Sequence, residues 1–188
     1  MARIESSMQI TTVDQENNLF RIVDVVPNNI VELVKTTDWL SLKWRRQEGQ
    51  ENWLRRRIDE SDIPWIEQWH EHFRSIWKDI EVQLGIPLCD YIGTAFWIDE
   101  PGFACSLHTD GELPGSLHLT WQGPGTTFYW YKDPSTVRYV VPEQINAGYI
   151  MINREDPEGY RKLMWHGMLQ EVPANTYRLT TYTWVLPK

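Results

Sequence analysis

The sequence predicts a mainly β protein that carries helices in its N-terminal part. Apolar residues recur every three or four positions in the longest N-terminal pattern and every second position from Asp90 onward, which marks a change from helix to strand. Turn signals rich in glycine and proline separate the later runs. A length of 188 residues suits one domain. We therefore expect a single domain over 1–188, with a helical N-terminal support region at 1–88 and a β-rich core at 89–188.

The first predicted elements are a short strand and a short helix. Residues 20–26 alternate loosely between apolar and polar and predict a strand that stops at Pro27. Asn28 or Asn29 can then cap a helix. The apolar residues of this helix, spaced by three and four, are Ile30, Leu33 and Val34.

A longer helix is predicted after Ser61-Asp62, with Pro64 in its first turn. One apolar stripe runs along it at steps of three or four residues. Gly85 is placed to end the helix, because glycine readily adopts the left-handed conformation of a C-terminal cap. The stripe consists of Ile66, Trp69, Phe73, Ile76, Ile80 and Leu84.

Eight short strands are predicted in the second half of the chain. Their regular spacing indicates an antiparallel sandwich or barrel rather than alternating strands and helices. The strands are expected near residues 90–98, 103–109, 116–122, 126–132, 137–141, 148–153, 164–169 and 177–185.

Residues 41–60 form a basic segment between the helices, with six basic and four acidic side chains and two tryptophans, Trp44 and Trp53. Two interpretations remain open. The segment is either a lid or rim that attracts an anionic substrate, or a solvated, partly helical connection, which we favour.

Composition excludes several classes of protein. A net charge of −8 gives no general attraction to phosphate, so it disfavours nucleic acid as a partner. No apolar run is long enough to span a membrane, and the first residues lack the apolar core of a secretory signal. Cys89 and Cys105 are too few for a disulfide scaffold, and we expect a cytoplasmic protein. The 11 tryptophans suit a core or a pocket equally well.

The five histidines differ in whether they can bind a metal ion. His70 and His72 lie on the predicted long helix, where residues two apart point about 200° apart, so we do not expect a ligand pair. His108 and Asp110 lie two apart on a predicted strand and share a face. Such a His-x-acid pattern is weak, with about 0.7 chance matches expected from the composition. With His166 as third ligand, it gives the two-histidine, one-carboxylate set of non-haem iron(II) oxygenases.

The order of landmarks over residues 91–185 resembles the iron(II)/2-oxoglutarate-dependent dioxygenases, and most closely their small, prolyl-hydroxylase-like microbial members. His108-Thr-Asp110, the glycine turn at 123–128, the turn and apolar strand at 142–152, and His166 followed by Arg178 match that family. The resemblance implies a double-stranded β-helix, also called a jelly roll or cupin-like barrel, supported by α-helices. It also implies Fe(II) held by His108, Asp110 and His166, with 2-oxoglutarate as cosubstrate.

The resemblance further places the distal carboxylate of 2-oxoglutarate on the strand at 177–185. Alternation puts Arg178, Thr180, Tyr182 and Trp184 on one face. A guanidinium can bind a carboxylate through two parallel hydrogen bonds, and Thr180 can add a third. The alternative is an arginine that closes a surface ion pair.

Six other positions near the expected site carry weaker signals than the metal ligands and Arg178. Tyr129 and Tyr131 occupy a strand that often supplies a cosubstrate hydroxyl in this family, although core packing explains either equally well. His118 can face the cavity but is more simply a structural histidine. Cys105 precedes His108 by three residues and is expected on the opposite face, so we do not count it as a ligand. Spacing assigns no role to Asn153 or Trp165.

The leading hypothesis is an oxidoreductase that hydroxylates a C–H bond with dioxygen and releases succinate and CO2. A small molecule and a peptide or protein side chain both remain open as substrates, and the oligomeric state is not specified. A cupin-type protein that binds a metal or small ligand without oxygenase turnover is the main alternative. A structural barrel with a coincidental triad is a third.

Overall fold

The computed structural model describes two antiparallel sheets and two helices. It covers residues 8–15, 18–45, 54–109, 114–123, 127–133, 136–142, 144–153 and 165–188, with backbone only for 127–133 and 136–142. Asp110, the segments 46–53 and 154–164, and the side chains of Tyr129 and Tyr131 therefore lie outside the description.

The larger sheet has eight strands in the order β1-β2-β10-β7-β12-β5-β4-β3. The smaller has four in the order β6-β11-β8-β9. Two facing antiparallel sheets agree with the predicted barrel or sandwich. The strands of the larger sheet are β1 (Gln9–Asp14), β2 (Leu19–Val23), β3 (Trp44–Arg45), β4 (Arg55–Ile58), β5 (Thr94–Asp99), β7 (Gly115–Gln122), β10 (Ala147–Ile152) and β12 (Arg178–Trp184). Those of the smaller are β6 (Cys105–His108), β8 (Thr127–Asp133), β9 (Thr136–Pro142) and β11 (Trp165–Met168).

Each of the eight strands predicted after Asp90 is present, although β5 begins at Thr94 rather than at residue 90. The helical description of residues 1–88 is only partly right, because β1, β2, β3 and β4 all belong to the larger sheet. β3 and β4 replace the partly helical connection that we favoured for the basic segment. β4 pairs with β5, and β3 pairs with β4, so the backbone groups of both strands have partners that local propensity does not reveal.

The two helices follow the predicted stripes but begin differently. Helix α1 spans Asn28–Thr36, with Pro27 at the capping position and no side-chain cap, so the predicted asparagine cap is wrong. Helix α2 spans Ile66–Leu84, so Pro64 lies before its first turn. Gly85 ends α2 at φ 66°, as predicted. Within the described residues, neither helix combines the length and apolar character needed to cross a bilayer.

The main core lies between α2 and one face of the larger sheet, called here the helix face. Trp69 of α2 is fully buried, and its ring lies 5.0 Å from Phe96 of β5 and 5.3 Å from Trp121 of β7, centroid to centroid. Its indole N–H donates to Thr94 Oγ1 at 3.1 Å, so burial leaves no unpaired donor. Each such ring removes about 150–250 Å² from water. Several of the tryptophans thus build the core rather than a pocket.

The opposite face of the larger sheet, called here the interior face, looks toward the smaller sheet. Leu19, Tyr149 and Met151 of this face pack against Met168 of β11. This small cluster closes one part of the space between the sheets. The remaining positions of the interior face carry polar and aromatic side chains, and they form the candidate site.

His72 makes the stability of the fold depend on pH. Burial lowers the pKa of His72 below 6.5, opposed by the bond between Nε2 and the Val25 carbonyl. The unfolded chain therefore binds more protons near that pH, so the free energy of unfolding falls as the pH drops below about 6.5. We expect His72→Gln to reduce this fall, measured by urea unfolding at about pH 7.5 and about pH 5.5. An equal fall in both proteins would show that His72 is not responsible.

Candidate active site

His108 and His166 face each other across neighbouring strands. They are directly opposed in the β6–β11 pair, and their ring centroids lie 4.4 Å apart. His166 is buried and His108 is half-buried. The structure thus brings together two of the three predicted metal ligands.

A bulge in β6 changes the position of Cys105. His166 pairs with His108 and Met168 pairs with Cys105, so two residue steps on β11 match three on β6. Cys105 Sγ consequently lies 3.4 Å from His108 Nδ1, and the prediction that Cys105 points to the opposite face is wrong. Gly167 permits this close approach, because a Cβ there would lie 2.8 Å from the Cys105 carbonyl oxygen.

A backbone contact fixes the tautomer of His108. Its Nδ1 lies 2.9 Å from the Ser106 carbonyl oxygen, which can only accept, so Nδ1 carries the proton. In the neutral ring, the lone pair is then on Nε2. Orientation of a ligating imidazole through its other nitrogen is usual at protein metal sites.

The third predicted ligand, Asp110, lies two residues beyond the described His108 and outside the described part of the chain. Within the described residues, no group of three or more His, Cys, Asp and Glu side chains is arranged to hold a metal ion. The full triad thus stays a prediction. Two close imidazoles, one with its tautomer set for Nε2 ligation, fit a divalent first-row metal.

The side chains of β12 alternate between the two faces of the larger sheet, as predicted. Leu179 belongs to the core on the helix face, whereas Thr180 and Tyr182 lie beside Trp97 and His118 on the interior face. Arg178 occupies the same face, opposite Asp99 of β5.

Arg178 is fully buried and forms an ion pair with the equally buried Asp99. Arg178 Nε and Nη2 lie 2.7 and 2.5 Å from Asp99 Oδ2. The alternative of a surface ion pair is therefore wrong in its location, although an ion pair is present. Asp99 was not identified from the sequence. The available signal was an acidic residue ending an apolar strand, in phase with Trp97 on the interior face.

Arg55 of β4 approaches the same carboxylate from the other side. Its Nε lies 3.0 Å from Asp99 Oδ1, and its Nη2 donates to Thr180 Oγ1 at 3.3 Å. Arg55, Asp99 and Arg178 lie side by side on three adjacent strands. We call these three residues with Thr180 the arginine cluster. It contains both residues of β12 predicted to bind the cosubstrate.

His118 of β7 lies on the interior face, paired with Tyr149 of β10 and Tyr182 of β12. Its ring stacks on Tyr149 at 5.1 Å and contacts Tyr182 at 4.6 Å, centroid to centroid. Its centroid lies 6.3 Å from that of His166. The predicted orientation toward the cavity is correct, and Nε2 lies 3.1 Å from Ser116 Oγ. Tyr149 was missed by the sequence analysis because it lies in an otherwise apolar strand.

The other candidates are placed only in part. The backbones of Tyr129 and Tyr131 pair with Gly167 and Trp165 of β11, so both residues belong to the strand beside His166. Their predicted roles are untested. Asn153 follows β10 and donates its backbone N–H to the Pro114 carbonyl.

His70 and His72 do not converge, as predicted. His70 Nδ1 lies 2.7 Å from the Tyr91 hydroxyl, whereas His72 reaches the Val25 carbonyl. Burial raises the pKa of Tyr91 to about 12, so this hydroxyl keeps its proton near neutral pH. Both histidines serve structural contacts on α2.

The fold is similar to solved structures of known enzymes. A prolyl-4-hydroxylase from Pseudomonas putida is 16% identical with a TM-score of 0.58, covering 92% of this chain and 94% of that one. A viral collagen prolyl hydroxylase from Paramecium bursaria Chlorella virus-1, complexed with 2-oxoglutarate, is 12% identical with a TM-score of 0.57, covering 93% and 98%. HygX from Streptomyces hygroscopicus, with nickel and 2-oxoglutarate bound, is 13% identical with a TM-score of 0.61, covering 94% and 88%.

These likenesses confirm the predicted fold, a double-stranded β-helix of the kind found in 2-oxoglutarate-dependent oxygenases. The resemblance noted in the sequence is thus confirmed at the level of the fold. No protein-family model matches the chain, and no curated protein matches it in sequence.

The arginine cluster predicts a large loss of stability when its carboxylate is removed. We expect Asp99→Asn to lower the free energy of unfolding by about 3–5 kcal/mol, because the buried Arg178 and the half-buried Arg55 lose their shared counterion. Asp90 is exposed, so Asp90→Asn serves as the control and should change the free energy of unfolding by less than about 0.5 kcal/mol. Urea unfolding of the metal-free proteins measures both. A loss below about 1 kcal/mol for Asp99→Asn would contradict this account of the cluster.

Proposed function

We propose that this chain is an iron(II)- and 2-oxoglutarate-dependent dioxygenase that hydroxylates a C–H bond. The balance is substrate, dioxygen and 2-oxoglutarate to hydroxylated substrate, succinate and CO2. One oxygen atom of dioxygen enters the substrate and the other enters succinate. The single observation that carries the proposal is a close histidine pair and a buried arginine cluster within one double-stranded β-helix.

His108, His166 and Asp110 would hold the metal. The opposed imidazoles and the proton on His108 Nδ1 support the first two, and sequence spacing supports Asp110. Bound there, iron(II) would supply the redox chemistry that activates dioxygen. The protein would then contribute the orientation of the ligands and the shape of the surrounding space.

Arg178 and Thr180 would bind the distal carboxylate of 2-oxoglutarate. Arg178 is held by two contacts to Asp99, so its guanidinium is positioned before the cosubstrate arrives. Thr180 follows Arg178 by two residues on β12 and therefore lies on the same face. Tyr129 and Tyr131 are proposed as further hydroxyl donors from β8, in agreement with the pairing of that strand with β11.

The aromatic wall of the interior face would exclude water from the reacting atoms. Tyr149 and Tyr182 both pack on His118, whose ring lies near that of His166. Such a wall also limits how a substrate can lie, and orientation lowers the barrier of the following step. We propose that the substrate is a small molecule or a peptide or protein side chain.

The cellular setting is proposed on the basis of charge and cysteine content. Both cysteines are free thiols in the structure, which suits the reducing cytoplasm. The net charge of −8 disfavours nucleic acid as the substrate.

The proposal is tested by anaerobic titration of the metal-free protein with iron(II) and then 2-oxoglutarate. Chelation of the metal by the keto acid produces a visible charge-transfer band. We expect this band in the wild-type protein, its absence in His108→Ala because a ligand is lost, and its weakening in Arg178→Met because cosubstrate affinity falls. Arg74→Met is the matched control, since Arg74 lies on α2 and pairs with Glu67 on the surface.

Two results would contradict the proposal. Tight metal binding without the band would favour the cupin-type binding protein. Absence of metal binding would show that the histidine pair has a structural role only.

A further inference from the structure

Arg55 is a half-buried cation with no role in the proposed chemistry. Its side chain is 18% exposed, and its guanidinium carbon lies 5.0 Å from the ring centroid of Trp97 and 5.5 Å from that of Phe103. A guanidinium keeps its charge at any pH at which the protein is folded. The position therefore holds a permanent positive charge against the interior face.

The protein partners of Arg55 leave part of its guanidinium without an acceptor. Nε approaches Asp99 and Nη2 donates to Thr180. Within the described residues, Nη1 has no hydrogen-bond acceptor. The Asp99 carboxylate is also shared with Arg178, so it balances only part of the charge of Arg55. An anion placed beside Arg55 would complete both the hydrogen bonding and the charge.

The location of Arg55 indicates which kind of anion would bind beside it. Thr180, to which Arg55 donates, is one of the two residues proposed to bind the distal carboxylate of 2-oxoglutarate. The guanidinium carbon of the other, Arg178, lies 5.7 Å from the same Phe103 ring that Arg55 contacts. Two guanidiniums thus lie beside one aromatic ring, and one of them donates to the Thr180 hydroxyl.

We infer that Arg55, delivered by the β3–β4 hairpin, is a second guanidinium that binds the distal carboxylate of the cosubstrate. This inference rests on the proposed function. It gives the basic segment 41–60 a defined task, the recognition of an anion, which differs from both a general lid and a solvated connection. Asp99 is then a positioning residue, because it holds the two guanidiniums at the spacing of three adjacent strands.

The test compares two ligands of the same length in the nickel-loaded protein. 2-Oxopentanoate has a methyl group where 2-oxoglutarate has its distal carboxylate. We expect Arg55→Met to weaken the binding of 2-oxoglutarate about tenfold to a hundredfold, because a charge-assisted hydrogen bond is lost. The same variant should bind 2-oxopentanoate up to about fourfold more tightly, because methionine can pack on the methyl group. Isothermal titration calorimetry gives both dissociation constants.

Arg56→Met is the matched control. Arg56 follows Arg55 on β4 but lies opposite Ile98 on the helix face and pairs with Glu100. Arg56→Met therefore removes an arginine and an ion pair from the same hairpin. Both dissociation constants should stay at the wild-type values. The ratio of the two constants is measured in one sample, so incomplete folding of a variant does not alter it.

The outcomes separate the inference from the proposed function. If the wild-type protein binds 2-oxoglutarate and Arg55→Met binds it equally well, the inference is wrong and the proposed function stands. If Arg55→Met weakens the binding of both acids by the same factor, Arg55 only stabilises the packing of the hairpin on the sheet, and the inference is again wrong. If the wild-type protein does not bind 2-oxoglutarate, the proposed function fails and the inference fails with it.

Discussion

The buried carboxylate of Asp99 is the interaction on which the arrangement of the site depends. It contacts guanidiniums from two strands that flank β5, one from early in the chain and one near its end. Burying any of these charges alone would cost several kcal/mol, so the three groups must be buried together. Arg55 of the N-terminal hairpin and Arg178 of β12 are thereby held on either side of β5 on the interior face. This constraint determines where Arg178 and Thr180, the candidate cosubstrate residues, lie on the interior face.

The two faces of the larger sheet have different roles: the helix face packs the core, and the interior face carries the candidate site. Strand alternation sends one set of side chains to the helix face, where Trp69, Phe96 and Trp121 form a close-packed core. The other set reaches the interior face, where polar groups find partners in Asp99, Thr180 and Ser116. Because the helix face supplies the apolar burial, the interior face can carry charged groups that must be buried in pairs. The candidate site is therefore built on strands rather than on loops, which limits its motion.

Local patterns predicted the fold more completely than the site. Period-two alternation and turn residues located the strands of the second half, and the same alternation placed Arg178 and Thr180 on the interior face. The β3–β4 hairpin was missed because its arginines have neither β propensity nor alternation, and pairing with β5 determines its structure. The face of Cys105 was wrong because a bulge adds one residue to β6. The contacts of Asp99 depend on the register of distant strands, which sequence spacing does not specify.

We propose that one barrel interior holds a metal at the histidine pair and a carboxylate at the arginine cluster. A crystal structure of the protein with nickel(II) and 2-oxoglutarate tests this most directly. We expect nickel to be bound by His108, Asp110 and His166, and the distal carboxylate to lie within hydrogen-bonding distance of Arg178 and Arg55. Nickel bound away from the histidine pair, or a cosubstrate whose distal carboxylate lies away from both arginines, would contradict it.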